Sequence, residues 1–142
     1  MNYEQFITKH RAGEGWQHDS HFSYSDFTRE KLEKAQEEVY EFADKANIFY
    51  TGPLEENQND SPSVGQFFEF EDFHKKHSLK MLYSGYMIGR PRNDVRVSVD
   101  GVTLITSDPV IIFDFLSMYP DSSSKDFWQD NDENYCAHFW WD

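Results

Sequence analysis

His18, Asp19 and His21 stand together in HDSH, with Asp26 downstream. Imidazoles and carboxylates are metal ligands, and a zinc site needs three or four converging. This spacing matches no ligand signature, and no cysteine cluster completes it. The stretch is expected to be a polar loop ahead of a helix, with no bound metal. Cys136 and His138 are the other pair with chemical potential. A thiol nucleophile needs its base within hydrogen-bond reach. Two residues apart on a strand, their side chains stand parallel and too far apart, so a partly buried, unreactive thiol is expected. His74 and His77 flank Lys75 and Lys76, where a phosphate is conceivable but an ordinary basic surface is the simpler reading. Phosphate-loop, dinucleotide and nucleophile-elbow motifs are absent, and GEGWQ at 13–17 follows no apolar strand. No catalytic residue and no cofactor is assigned. Chance pairing among 26 acids carries no weight.

Charge is the stronger signal. The chain of 142 residues has a formal charge of −13. That disfavours direct binding to nucleic acid or anionic membranes and favours basic partners. The charge is uneven. Residues 55–72 hold six acids and no base, and residues 100–142 hold nine acids and only Lys125. Between them, 73–99 holds Lys75, Lys76, Lys80, Arg90, Arg92 and Arg96 against Asp94. Internal neutralisation of acidic neighbours is the expected use of that basic segment. A separate anion-binding patch is the alternative.

Two acidic clusters are placed to meet a partner. Glu37, Glu38, Glu41 and Asp44 load one side of a helical stretch. Asp130, Asp132 and Glu133 follow Trp128 and precede Trp140 in KDFWQDNDENYCAHFWWD, which also contains Asp126. In that tail, alternation puts Tyr135, Ala137, Phe139 and Trp141 on one face of a strand and Cys136, His138 and Trp140 on the other. Docking the first face explains most of the tail as structure. Trp128, Trp140 and the acids around them remain as a binding surface.

The elements that must position these residues read as one α+β domain over 1–142. SDFTREKLEKAQEEVYEFADKANIF predicts a helix near 26–47, capped by Ser25 or Asp26, with Leu32, Ala35, Val39, Phe42, Ala43 and Ala46 as its apolar stripe. Residues 51–65 read as a mobile acidic loop. QFFEFEDFHKKH fits both periodicities and is expected as a strand near 66–71 with a turn or short helix after it. LKMLYSGYMIG reads as a strand over 79–89, with Gly85 at a bulge, and Pro91–Asp94 as a turn. VRVSVDGVTLIT predicts a hairpin over 95–106, turning at Asp100-Gly101. SDPVIIFDFLSMYP predicts a helix over 108–118, with Ile111, Ile112, Phe115 and Leu116 buried. With a terminal strand near 135–141, these make an antiparallel sheet of four to five strands and two main helices.

The N-terminus shows no signal-peptide core, no apolar run approaches a membrane span, and a lone cysteine fits a reducing compartment. A soluble cytoplasmic protein is expected, in the host cytoplasm if phage-encoded. Its expected role is to mask the basic, nucleic-acid-binding surface of a partner protein such as a nuclease, as anti-defence inhibitors and nuclease-immunity proteins do. The alternatives are a small-ligand enzyme using histidines or carboxylates in a pocket, and a carbohydrate- or peptide-binding module built on Trp16, Trp128, Trp140 and Trp141.

Overall fold

A computed structural model describes residues 16–18, 21–58, 60–88 and 95–142. Its strands are β1 (Trp16–His18), β2 (His21–Phe27), β3 (Lys80–Ile88), β4 (Arg96–Val97), β5 (Gly101–Thr106), β6 (Ser124–Gln129) and β7 (Tyr135–Trp140). Its α-helices are α1 (Arg29–Lys45), α2 (Val64–His74) and α3 (Pro109–Met118). The α+β class holds. The sheet is larger than expected, with every pairing antiparallel and the order β1-β2-β3-β5-β7-β6, and with β4 also pairing β3.

Local chemistry explains the helices. Thr28, rather than Ser25 or Asp26, caps α1 by accepting from the Lys31 amide (3.3 Å). Ser25 and Asp26 instead belong to β2, where the register shifts and Asp26 takes φ 56°. Asp108 caps α3, with Pro109 opening its first turn.

The strand expected near 66–71 is helix α2. Ser63 and Gln66 form a reciprocal capping box, with bonds of 2.8 Å and 3.2 Å. From that start, Val64, Phe67, Phe68, Phe70 and His74 fall on the buried side. The alternation of Phe68 and Phe70 was incidental to this helical spacing.

The hairpin expected over 95–106 is also corrected. β4 and β5 run along the same edge of β3, Met87 facing Val97 and Ser84 facing Gly101. Asp100-Gly101 therefore lies within an interrupted strand, not at a turn. β4 pairs antiparallel with β3, and the expected Pro91–Asp94 turn lies outside the described residues. Between the two pairings β3 advances three residues and its partner four, so Ser98–Asp100 bulges opposite Gly85. A β-carbon on Gly85 would sit 2.2 Å from the Ser98 carbonyl oxygen, which is why glycine stands there. Gly101 is covered by the Trp140 ring, which a β-carbon would meet at 2.4 Å.

All three helices pack on one face of the sheet. Tyr83 of β3 meets Phe67 and Phe68 of α2, Phe115 of α3 meets Phe139 of β7, and Tyr40 of α1 accepts the Val97 amide of β4. Phe67, Phe70, Phe115, Phe139 and Trp141 form an aromatic core with centroid spacings from 4.8 to 6.4 Å. Each such side chain contributes roughly 1.5–3 kcal/mol or more on burial. The docked face expected of the tail is present in Ala137, Phe139 and Trp141, although β7 lies inside the sheet and Tyr135 is exposed. The unexpected strand β6 supplies the edge beyond it.

Residues 51–65 include bonded turns. The Glu55 and Glu56 amides donate to the Gly52 carbonyl, and those of Val64 and Gly65 to Glu56 and Leu54. Glu56 is buried beside Arg96, with a 3.3 Å ion pair. This pair joins the acidic loop to the basic segment, as internal neutralisation requires. Lys75 pairs with Asp72 in the same way (3.4 Å).

Candidate functional site

Helix α1 carries the first acidic cluster because its other side is core. Leu32, Ala35, Val39, Phe42 and Ala43 are buried, which turns Glu37, Glu41 and Asp44 to solvent and leaves Glu38 half-buried. Glu41 pairs with Lys45 at 2.9 Å, and that hydrogen bond holds its carboxyl below the usual range. Asp44 accepts the Tyr50 hydroxyl at 2.8 Å.

The second cluster sits on the β6–β7 hairpin. Its turn is built by Asp130, whose carboxylate accepts the Asp132 and Asn134 amides at 2.9 Å and the Asn134 side-chain amide at 3.2 Å. The bond from the Asn134 backbone is the main reason its pKa falls. Asp130 is thus engaged in the turn, whereas Asp132 and Glu133 are exposed, with Glu133 at φ 63°. Register places Trp128 opposite Cys136, Asp126 opposite His138 and Ser124 opposite Trp140. Trp128, Asp126, His138 and Trp140 therefore share the face opposite the helices. Trp128 is 45% exposed. Trp140 is half-buried, stacks on His138 (6.3 Å) and donates its indole N–H to Asp142 (2.9 Å).

The fold does not merge the two clusters. α1 packs over β2, β3 and β4, while the β6–β7 turn belongs to the far edge of the sheet. Of the tryptophans weighed for a binding platform, Trp141 is buried in the core, and the side chain of Trp16 lies outside what the structure describes.

The histidine and thiol pairs are not joined either. Cys136 Sγ points to the Asn134 carbonyl (3.8 Å), and His138 Nδ1 bonds Thr103 Oγ1 (2.8 Å). Burial raises the thiol pKa, which opposes thiolate formation. His74 lies against Phe70 (4.4 Å) and Phe73 (4.8 Å), not in a phosphate cradle with the lysines. His18 and His21 are not in a polar loop ahead of a helix as expected but are backbone register partners at the ends of β1 and β2, and Asp19 lies outside the described residues. Among the described residues no three His, Cys, Asp or Glu side chains converge as metal ligands.

A partly buried polar network links two of the helices to the sheet. Arg29 of α1 pairs with Asp72 and Glu33 and lies over Phe68, and the Tyr83 hydroxyl donates to Glu71 at 2.7 Å. Burial raises the Glu71 carboxyl and the Tyr83 phenol. This network ties α1, α2 and β3 together.

A cleft lies between α2 and α3. About 440 Å³ opens there, walled by Glu69, Phe70, Phe73 and His74 from α2 and by Asp114 and Met118 from α3, with Tyr119 just beyond. Glu69 is close enough to Tyr119 to reinforce the rise that burial imposes on its phenol. A strand over 66–71 has no α2 wall, so the cleft does not follow from the sequence expectation. Half the signal was legible: with Ile111, Ile112 and Phe115 assigned inward, Val110, Phe113, Asp114 and Met118 had to face out.

No family model matches this chain, and no curated protein or solved structure does either.

Proposed function

We propose that this protein is an acidic binding protein that covers a basic, nucleic-acid-binding surface of a partner protein. The observation that carries the reading is on the α2–α3 helix pair. Phe73 and Met118 are exposed there and wall a cleft with Glu69 and Asp114, and Val110 and Phe113 of α3 are exposed as well, in a chain of charge −13. Exposed apolar groups supply the contact energy of an interface, and carboxylates around them select a cationic counterpart. The α1 and β6–β7 acids do not line that cleft and act by drawing a basic partner in, since fields reach farther than contacts. No helix among the described residues is long and apolar enough to cross a membrane. The cytoplasm, including a host cytoplasm, is the compartment this role assigns.

The test is affinity capture from the native source followed by competition. The captured protein is expected to be basic and to lose its nucleic acid stoichiometrically as this protein is added. A captured protein that is acidic, or that keeps its nucleic acid when saturated, contradicts the reading.

A further inference from the structure

Phe73 is 76% exposed and Met118 58%, yet both wall the same cleft. Other large apolar side chains are exposed, Phe49 at 78% among them, but Phe73 and Met118 wall a concave site. Wet apolar surface costs about 25 cal/mol per Å², so a concentration of it at a concave site marks a surface that becomes covered. Met118 is unbranched and polarizable, the kind of wall that adapts to different apolar side chains.

The charge around the cleft selects the occupant. Glu69 comes from one helix and Asp114 from the other, and no lysine or arginine is among the lining residues. An apolar floor between two carboxylates complements an apolar side chain flanked by cations. The frame is two helices of 11 and 10 residues, each roughly 15–17 Å long, a length that about three turns of a docked helix match. Acidic segments are repelled by the chain's charge of −13.

We infer that the α2–α3 cleft docks a basic amphipathic helix of the partner, seating one bulky apolar side chain between Phe73 and Met118 with its flanking lysines or arginines against Glu69 and Asp114. This rests on the acidic-binder reading and names the part of the partner that is gripped.

The probe is a leucine–lysine amphipathic peptide of roughly four helical turns. It is accompanied by one peptide with its leucines replaced by alanine and one with its lysines replaced by glutamate. Binding to the full chain is followed by calorimetry and by the methyl resonance of Met118. The leucine–lysine peptide is expected to bind and to shift that resonance, with both companions at least about tenfold weaker. Phe73→Ala and Asp114→Lys, at exposed positions that leave the core intact, should each weaken it roughly tenfold or more. Glu37→Lys with Glu41→Lys on α1 should change it by less than about threefold. An unmoved Met118 resonance, equal binding of the glutamate peptide, or indifference to Phe73→Ala overturns the assignment. The captured partner separates this from the functional reading. A basic partner whose affinity ignores Phe73→Ala and Asp114→Lys rejects the cleft alone. A partner that is not basic rejects the function and leaves the peptide result standing.

Discussion

Asp100 shows how one residue is set by its surroundings. Read from sequence it belongs to a turn, but the structure buries it to 2% exposure in a strand bulge, with Oδ1 lacking a hydrogen-bond partner. Burial pushes its pKa up to about 6, against the lowering effects of the Ser98 hydrogen bond and Arg96, while Asp142 and Glu56 add to the rise. Tyr24 also faces it, and its own phenol is raised by burial and then by Asp100. Between 3.8 and about 6 the folded chain keeps a proton that the unfolded chain has released. Stability from this group therefore falls as pH rises through that window and stays low above it. Two units correspond to about 3 kcal/mol. Asp100→Asn should remove the slope, so that the variant gains on the native protein as pH rises from about 4 to about 7. Denaturant unfolding at several pH values measures this. Glu71, raised by burial in both proteins, drops out of the difference. Parallel stability curves would contradict it.

The elements divide by how much of their specification is local. Helix α3 was legible because its cap, its proline and its apolar stripe agree within one segment, whereas α1 was legible from its stripe alone, its cap being Thr28 and not Ser25 or Asp26. β3 and β7 were legible from the apolar and aromatic runs of their own segments. α2 was misread because aromatics at 67, 68, 70 and 73 satisfy two periods at once, and the decisive signal, Ser63 with Gln66, sits before the run. Replacing Ser63 by Ala should cost about 1 kcal/mol and lower the melting temperature by a few degrees, about 3 °C. Calorimetry would read an unchanged midpoint if the capping box did not hold α2. The Asp100-Gly101 turn failed for a non-local reason: Trp140 covers Gly101, and the Ser98–Asp100 bulge presses on Gly85. No local pattern reports a partner strand's ring. β2 and β6 were missed because their strands are half polar, and β6 is exposed along its whole length. The cleft follows the same rule, since its α3 wall was legible and its α2 wall was not.

At the scale of the whole molecule, the acids do two jobs. Glu56, Asp72 and Asp130 are bound within the fold. Glu37 and Asp132 stand in solvent on separate regions, with Glu41 exposed beside Lys45. A basic partner should therefore be steered by a broad field and held at an apolar contact. Steering appears in the association rate and weakens with salt, with a Debye length of about 8 Å at physiological ionic strength, while the contact appears in dissociation. The most direct measurement is binding kinetics against the captured partner across a salt series. It compares the native protein with a Glu37→Lys/Glu41→Lys variant and with Phe73→Ala. The account predicts an association rate that falls steeply with salt and is slowed by the α1 reversal. It also predicts a dissociation rate raised roughly tenfold or more by Phe73→Ala. Association that is indifferent to salt and to the α1 reversal would contradict it.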